Sequence, residues 1–142
     1  MRASFYTERG LRIYMARELD KVEAKNYLRK AEEFLEEAKD AMLKSRFNAA
    51  GFNAIQAVIN ANDALTIYII GIRASQDHRE AIKTHVETIR MINDSSGKQM
   101  LINALDKRSE VGYSGKDASK AVADGLLRDA MNFIKWVKKY VA

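Results

Sequence analysis

Residues 47–72 read FNAAGFNAIQAVINANDALTIYIIGI, and this stretch decides the fold. It is apolar on almost every side at helical spacing, so it has to be surrounded by other elements. The tail, residues 67–72, is β-branched enough to pass for a strand, yet it continues the helical period. The whole segment is therefore read as a central helix. The 142-residue chain contains no proline, where average usage of about 5% would give roughly seven. Turn-rich β-architectures spend proline, so its absence favours long uninterrupted helices.

Outward from this helix, the neighbours are amphipathic. In residues 20–46, Tyr27, Ala31, Phe34, Leu35, Ala38, Ala41 and Met42 recur at threes and fours, while Glu32, Glu33, Glu36, Glu37 and Lys39 occupy the other faces. Downstream, Asp77 with Glu80 three residues later is an N-cap arrangement. It opens a third helix whose apolar face runs through Ala81, Ile82, Val86, Ile89 and Ile92. The run Asn93-Asp94-Ser95-Ser96-Gly97 is turn chemistry. A fourth helix follows through Leu101, Ala104, Leu105 and Val111, ending near Gly112 to Gly115. A fifth is expected to start at Lys116 or Asp117 and to run to the C-terminus. Short connections make sequential helices antiparallel neighbours. The expected fold is all-α, an antiparallel up-and-down bundle of four to five helices spanning residues 21–142.

Residues 1–20 are expected to form an N-terminal extension. They show no clean period, and Gly10 interrupts them. Arg2, Phe5, Tyr6, Arg9, Arg12 and Tyr14 interleave cations with rings, a pattern able to stack on and neutralise nucleic acid. Packing onto the same domain or a sister subunit is the competing reading.

The net charge of +5 is unevenly placed. Residues 1–19 carry +2, residues 126–142 carry +3, and the body between them is neutral. Basic ends permit nucleic-acid contact, although a modest solubility charge on a small domain is the simpler account of them. The absence of cysteine removes disulfides, zinc–thiolate sites and cysteine nucleophiles. Two histidines, His78 and His85, are too few for an imidazole-rich site, and neither a metal nor a cofactor is expected. The most apolar stretch contains Gln56, Asn60, Asn62 and Asp63 and cannot sit in lipid. No apolar run of signal-peptide length opens the chain, so a cytoplasmic location is expected.

Polar exceptions on apolar stripes carry the functional information. Asn53, Gln56, Asn60 and Asp63 are spaced three, four and three along helix two, forming one polar line. This line is the thin solvent edge of a buried helix, an internal hydrogen-bond network, or half of a polar groove. Arg108 lies on the stripe of helix four between Leu105 and Val111. Its charge cannot be lost, so it needs a partner such as Asp63, a path to water, or an anionic ligand matching its fork. His78, in the first turn of helix three, is placed to meet a ligand at the bundle mouth. His85 reads as a packed, hydrogen-bonded core or interface residue.

Taken in order, AKNYLRKAEEFLEEAKDAM, NAAGFNAIQAVINANDALTIYIIG, DHREAI, LINALDKRSEVGYSG and AVADGLLRDAMNFIKWVKKYV resemble the HEPN domains. The likeness covers residues 22–140. It implies a four- or five-helix bundle, commonly a homodimer, that works on nucleotides or RNA. Many members accompany a minimal nucleotidyltransferase in toxin–antitoxin modules. The active branch of the family cleaves RNA without metal, using an arginine followed four to six residues later by histidine. Arg108 matches the first half, but Tyr113 stands where the histidine belongs. A pKa near 10 makes tyrosine a poor proton shuttle at neutral pH. His78 is then the remaining candidate for an imidazole. The leading expectation is a non-catalytic nucleotide- or RNA-binding module, with Arg108, Tyr113, His78 and the line Asn53, Gln56, Asn60 and Asp63 as ligand-binding candidates. Arg108, His78 and Tyr113 are the catalytic candidates of the alternative, a metal-independent ribonuclease with an altered motif. A purely structural dimeric interaction protein is the third reading.

Overall fold

The computed structural model describes residues 7–74 and 77–141. Over them the chain folds into α1 (Glu8–Leu43), α2 (Phe47–Ile70), α3 (His78–Ile92), α4 (Lys98–Tyr113) and α5 (Lys120–Val137). The architecture is the expected all-α bundle, with no strand among the described residues. Central α2 packs against each of the other four helices, as its all-round apolar character requires. Ala24, Ala31 and Ala38, spaced by sevens on α1, have no exposure, and neither do Ala54, Ala57, Ala61 and Ala64 on α2. Such small side chains let the two helices pack closely. Ile55, Leu65, Leu101, Phe133 and Val137 are also fully buried and fill the rest of the core.

The largest departure from expectation is the start of α1. The helix begins at Glu8 and passes residue 20 without a break. Gly10 falls in the first turn, and its N–H donates to the Thr7 side chain at 3.0 Å, so a residue read as an interruption belongs to a capped start. Arg2, Phe5 and Tyr6 lie outside the described residues. Arg17 ties this early part of α1 to the end of α2. It donates to the carbonyls of Tyr68 at 2.8 Å, Ile69 at 3.3 Å and Ile67 at 3.5 Å, and to the Asp20 carboxylate at 3.0 Å. The Ile67 carbonyl also accepts from the Gly71 N–H at 2.9 Å, whereas those of Tyr68 and Ile69 are ones a helix C-terminus leaves without intrahelical donors. Gly71 then terminates α2 in the left-handed region, φ 70°, which glycine adopts without strain.

Asp77 caps α3, accepting from the N–H groups of Arg79 at 2.8 Å and Glu80 at 3.1 Å. Helix α5 starts later than expected, at Lys120, because Ser119 supplies the cap by accepting from the Val122 N–H at 3.1 Å. It ends at Val137 rather than running to the C-terminus. The α3–α4 loop is fastened to α5 by Asp94, which accepts from the Trp136 indole N–H at 2.9 Å and from the Tyr140 hydroxyl. The Ser96 hydroxyl and N–H also donate to it. With the Ser96 hydroxyl contributing most, these donors hold the Asp94 carboxyl far below the usual carboxylate range. Buried Gly97 lies under the Trp136 ring, where an added Cβ would come within 2.5 Å of two ring carbons.

Candidate functional site

The helical line on α2 opens onto a cavity of about 430 Å³. Gln56, Asn60 and Asp63 line it, with Asn62 and Ile59 from the same helix. Helix α1 contributes Tyr27, Lys30 and Phe34, and the α2–α3 connection contributes Arg73, Ala74 and Asp77. Ala81 of α3 and Leu101, Leu105 and Arg108 of α4 complete the wall. Three of the four residues of the polar line, Gln56, Asn60 and Asp63, thus border a groove. Asn60 is only 9% exposed, and its amide nitrogen donates to the Gln56 carbonyl at 2.8 Å. That bond leaves its side-chain oxygen as an acceptor.

Three cations meet two carboxyl groups here. Lys30 lies 5.9 Å from the Tyr27 ring centroid, and Arg73 forms an ion pair with Glu23. Burial pushes the Asp63 carboxyl up to about 7, against a hydrogen bond from the Ala74 N–H that lowers it. A buried carboxyl that changes charge near neutrality in a cleft marks a functional-site candidate. Arg108, Lys30 and Arg73 supply the donors that an anion such as phosphate requires.

Behind this wall lies His85, with no exposure. Its Nδ1 is 2.8 Å from the side-chain oxygen of Asn62. That partner is an acceptor, so Nδ1 carries the proton. Nε2 is buried and has no hydrogen-bond partner among the described residues, which costs about 1–3 kcal/mol. The ring is 6.3 Å from Phe133 and 5.7 Å from Trp136, centroid to centroid. Burial, with a smaller contribution from Lys98, lowers the imidazole pKa to about 4 and keeps it neutral.

Of the residues expected from sequence, Arg108, Gln56, Asn60 and Asp63 are brought together, while Asn53, His78 and Tyr113 do not line the cavity. Asn53 is on the same line but a turn closer to the start of α2, where its amide donates to the Ala49 carbonyl at 2.9 Å. His78 faces α4 at an exposed position, its Nε2 3.5 Å from an Asp106 carboxylate oxygen. Tyr113 is 73% exposed. Five residues along a helix turn the side chain by about 140° from Arg108, onto another face. Lys30 and Asn62 escaped the sequence reading although a signal existed for the first. Lys30 falls on the stripe between Tyr27 and Phe34, just as Arg108 does on α4. Asn62 lies off the polar line, and its partner His85 is on another helix.

The model of the HEPN domain matches residues 24–140. This chain belongs to the HEPN domain family. No curated protein matches it. In this HEPN domain the matched region begins inside α1 and takes in the whole cavity wall. Among the described residues no helix is long and apolar enough to cross a membrane, and no group of three or more histidines and carboxylates is placed to hold a metal ion.

Proposed function

We propose that this HEPN domain binds a nucleotide unit, free or within single-stranded RNA, without cleaving it. One observation carries the reading. A single cavity gathers Arg108, Lys30 and Arg73 with the amide line of α2 and the rings of Tyr27 and Phe34, the complement of a phosphate, a base edge and a base face. The non-catalytic part is supported by the placement of the acid–base candidates. Tyr113 is exposed on another face of α4, and His78 is engaged with Asp106.

The test is end-labelled RNA incubated with the protein in a chelator. The expected outcome is retardation without cleavage, weakened in Arg108→Ala, with the salt dependence of the remaining binding reduced by the equivalent of about one phosphate contact. Cleavage that disappears in Arg108→Ala would instead make the protein a ribonuclease. RNA and mononucleotide both left unbound would remove the ligand-binding reading altogether.

In the same proposal the domain acts as a cytoplasmic homodimer beside a nucleotidyltransferase, in a module of the toxin–antitoxin kind. Met15, Leu19 and Val22 support the dimer. They lie at i, i+4 and i+7 of α1 and are 57%, 70% and 58% exposed, an apolar stripe this domain leaves uncovered. Light scattering is expected to give twice the 16.1 kDa chain mass, falling to one chain in Leu19→Glu. A monomeric parent protein at micromolar concentration would exclude it.

A further inference from the structure

A phosphate in the cavity and an ionised Asp63 in its wall are two negative charges in one small space. The cavity measures about 430 Å³, so a charge anywhere in it lies within about one screening length, about 8–10 Å, of every part of the wall. Next to buried groups, repulsion over such distances is damped far less than it is in bulk water. An ionised Asp63 therefore opposes the anion that Arg108, Lys30 and Arg73 attract. A neutral Asp63 does not, and its carboxyl O–H is a donor that a phosphate oxygen can accept.

Asp63 can give up its charge close to neutral pH. Burial disfavours the carboxylate, the Ala74 N–H supports it, and the pKa is pushed up to about 7. Four elements bring other ionisable groups to this site. Helix α1 contributes Lys30 and Tyr27, the α2–α3 connection Arg73 and Asp77, and α4 Arg108. Arg73 is paired with Glu23, and Asp77 accepts from the Arg79 and Glu80 N–H groups as the cap of α3. From α3 itself, Ala81 lines the cavity, and His85 behind the wall, lowered to about 4, is neutral at pH 6 and above. The other polar groups that α2 presents, Gln56, Asn60 and Asn62, are uncharged amides.

We propose that Asp63 takes up a proton together with the phosphate, so that the cavity holds its ligand with this carboxyl neutral. The proton comes from solvent and stays on a carboxylate oxygen of Asp63, and no bond of the ligand changes. Binding then consumes a proton wherever free Asp63 is ionised, and affinity falls as pH rises. This rests on the nucleotide-binding reading above and adds to it the charge state that the site requires. The cations attract the phosphate, and Asp63 sets the pH range in which they hold it.

The test is calorimetric titration at constant ionic strength with a uridine dinucleotide. Its phosphodiester keeps a single charge and its bases do not titrate between pH 6 and pH 8, so any proton exchanged belongs to the protein. Affinity is expected to fall about five- to tenfold from pH 6 to pH 8, the linkage of about one proton to a group titrating near 7. At pH 7, heats measured in PIPES and in imidazole, which differ in their own heats of ionisation, are expected to report the uptake of about half a proton. In Asp63→Asn, which keeps the shape and stays neutral, affinities at the two pH values are expected to agree within twofold and the uptake to vanish. In Asp77→Asn, which retains a capping side chain, both effects are expected to persist. An affinity that is constant or rises with pH in the parent protein overturns the inference, as does a binding heat that shows no proton uptake. A pH dependence that survives in folded Asp63→Asn, or disappears in Asp77→Asn, overturns it too. The buffer comparison on the parent protein decides alone if Asp63→Asn loses its helical circular-dichroism signal. The two readings fail differently. A dinucleotide bound equally at pH 6 and pH 8 overturns only the proton-uptake inference, whereas one left unbound at both overturns the nucleotide-binding reading as well.

Discussion

Two carboxyl groups at opposite ends of α3 show how one chemistry is put to two uses. Asp94, past the C-terminal end, is surrounded by donors from Ser96, Trp136 and Tyr140 and is held ionised. Asp63, at the cavity beside the N-terminal end, is desolvated with only an N–H from Ala74 opposing that cost, and titrates near 7. A carboxylate whose lone pairs are filled by its own fold fastens elements together. One that burial leaves poorly compensated is the kind of group that the proposed ligand would meet. The fold is finished at the Asp94 end and open at the Asp63 end.

The largest effect is expected where the finished end is packed tightest. Gly97→Ala places a methyl 2.5 Å from Trp136 ring carbons and should lower stability in urea by about 1–3 kcal/mol through overpacking. Gly71→Ala combines a φ of +70° with a Cβ 2.5 Å from the Arg17 guanidinium, and an alanine held there costs about 1–2 kcal/mol. A stability within error of the parent in either variant would show that the local packing yields easily.

The two carboxyls should also respond to pH with opposite signs. The pKa of Asp63 is raised on folding to about 7, so its favourable protonated state is fully present below about pH 4 and is lost as pH rises through 7. Asp63→Asn should therefore melt progressively higher than the parent protein between pH 4 and pH 8, by the equivalent of about 1 kcal/mol at the upper limit. A constant difference across that range would mean that Asp63 is solvated like a surface carboxylate. Asp94 is depressed on folding, so its contribution is present above about pH 4 and lost as pH falls below it. The smallest signal is accordingly the gap in melting temperature between parent and Asp94→Asn, which should narrow from pH 4 to pH 2. His85, lowered to about 4, adds its own loss of stability as pH falls from about 6.5 toward 4. A comparison of Asp94→Asn with the parent cancels that contribution.

The legibility of this molecule in its sequence follows what burial does to pattern. Helix α2 was readable because it is apolar all round, and its polar line was readable because amides at threes and fours have no place on a buried helix. Arg108 stood out on α4 for the same reason. Lys30 did not, because the long side chain of a lysine on an apolar stripe is commonly read as reaching back to water. The pairing of Asn62 with His85 joins residues 23 apart, and no local spacing encodes it. The start of α1 was hidden for a different reason. Ile13, Met15, Leu19 and Val22 are all more than half exposed, and the stripe Met15, Leu19 and Val22 is short and shares its segment with Gly10 and other apolar residues off its face, so the helical period is weak there.

Arg17 bears on any attempt to shorten this protein. A gene trimmed to the family-matched residues 24–140 would begin after it, leaving the carbonyls of Ile67, Tyr68 and Ile69 without the guanidinium that now meets them. Those carbonyls sit just ahead of the connection that carries Arg73 and Asp77 to the cavity. A trimmed piece meant to keep the end of α2 as it is therefore starts upstream of the matched residues, because the last turn of α2 takes donors from Arg17.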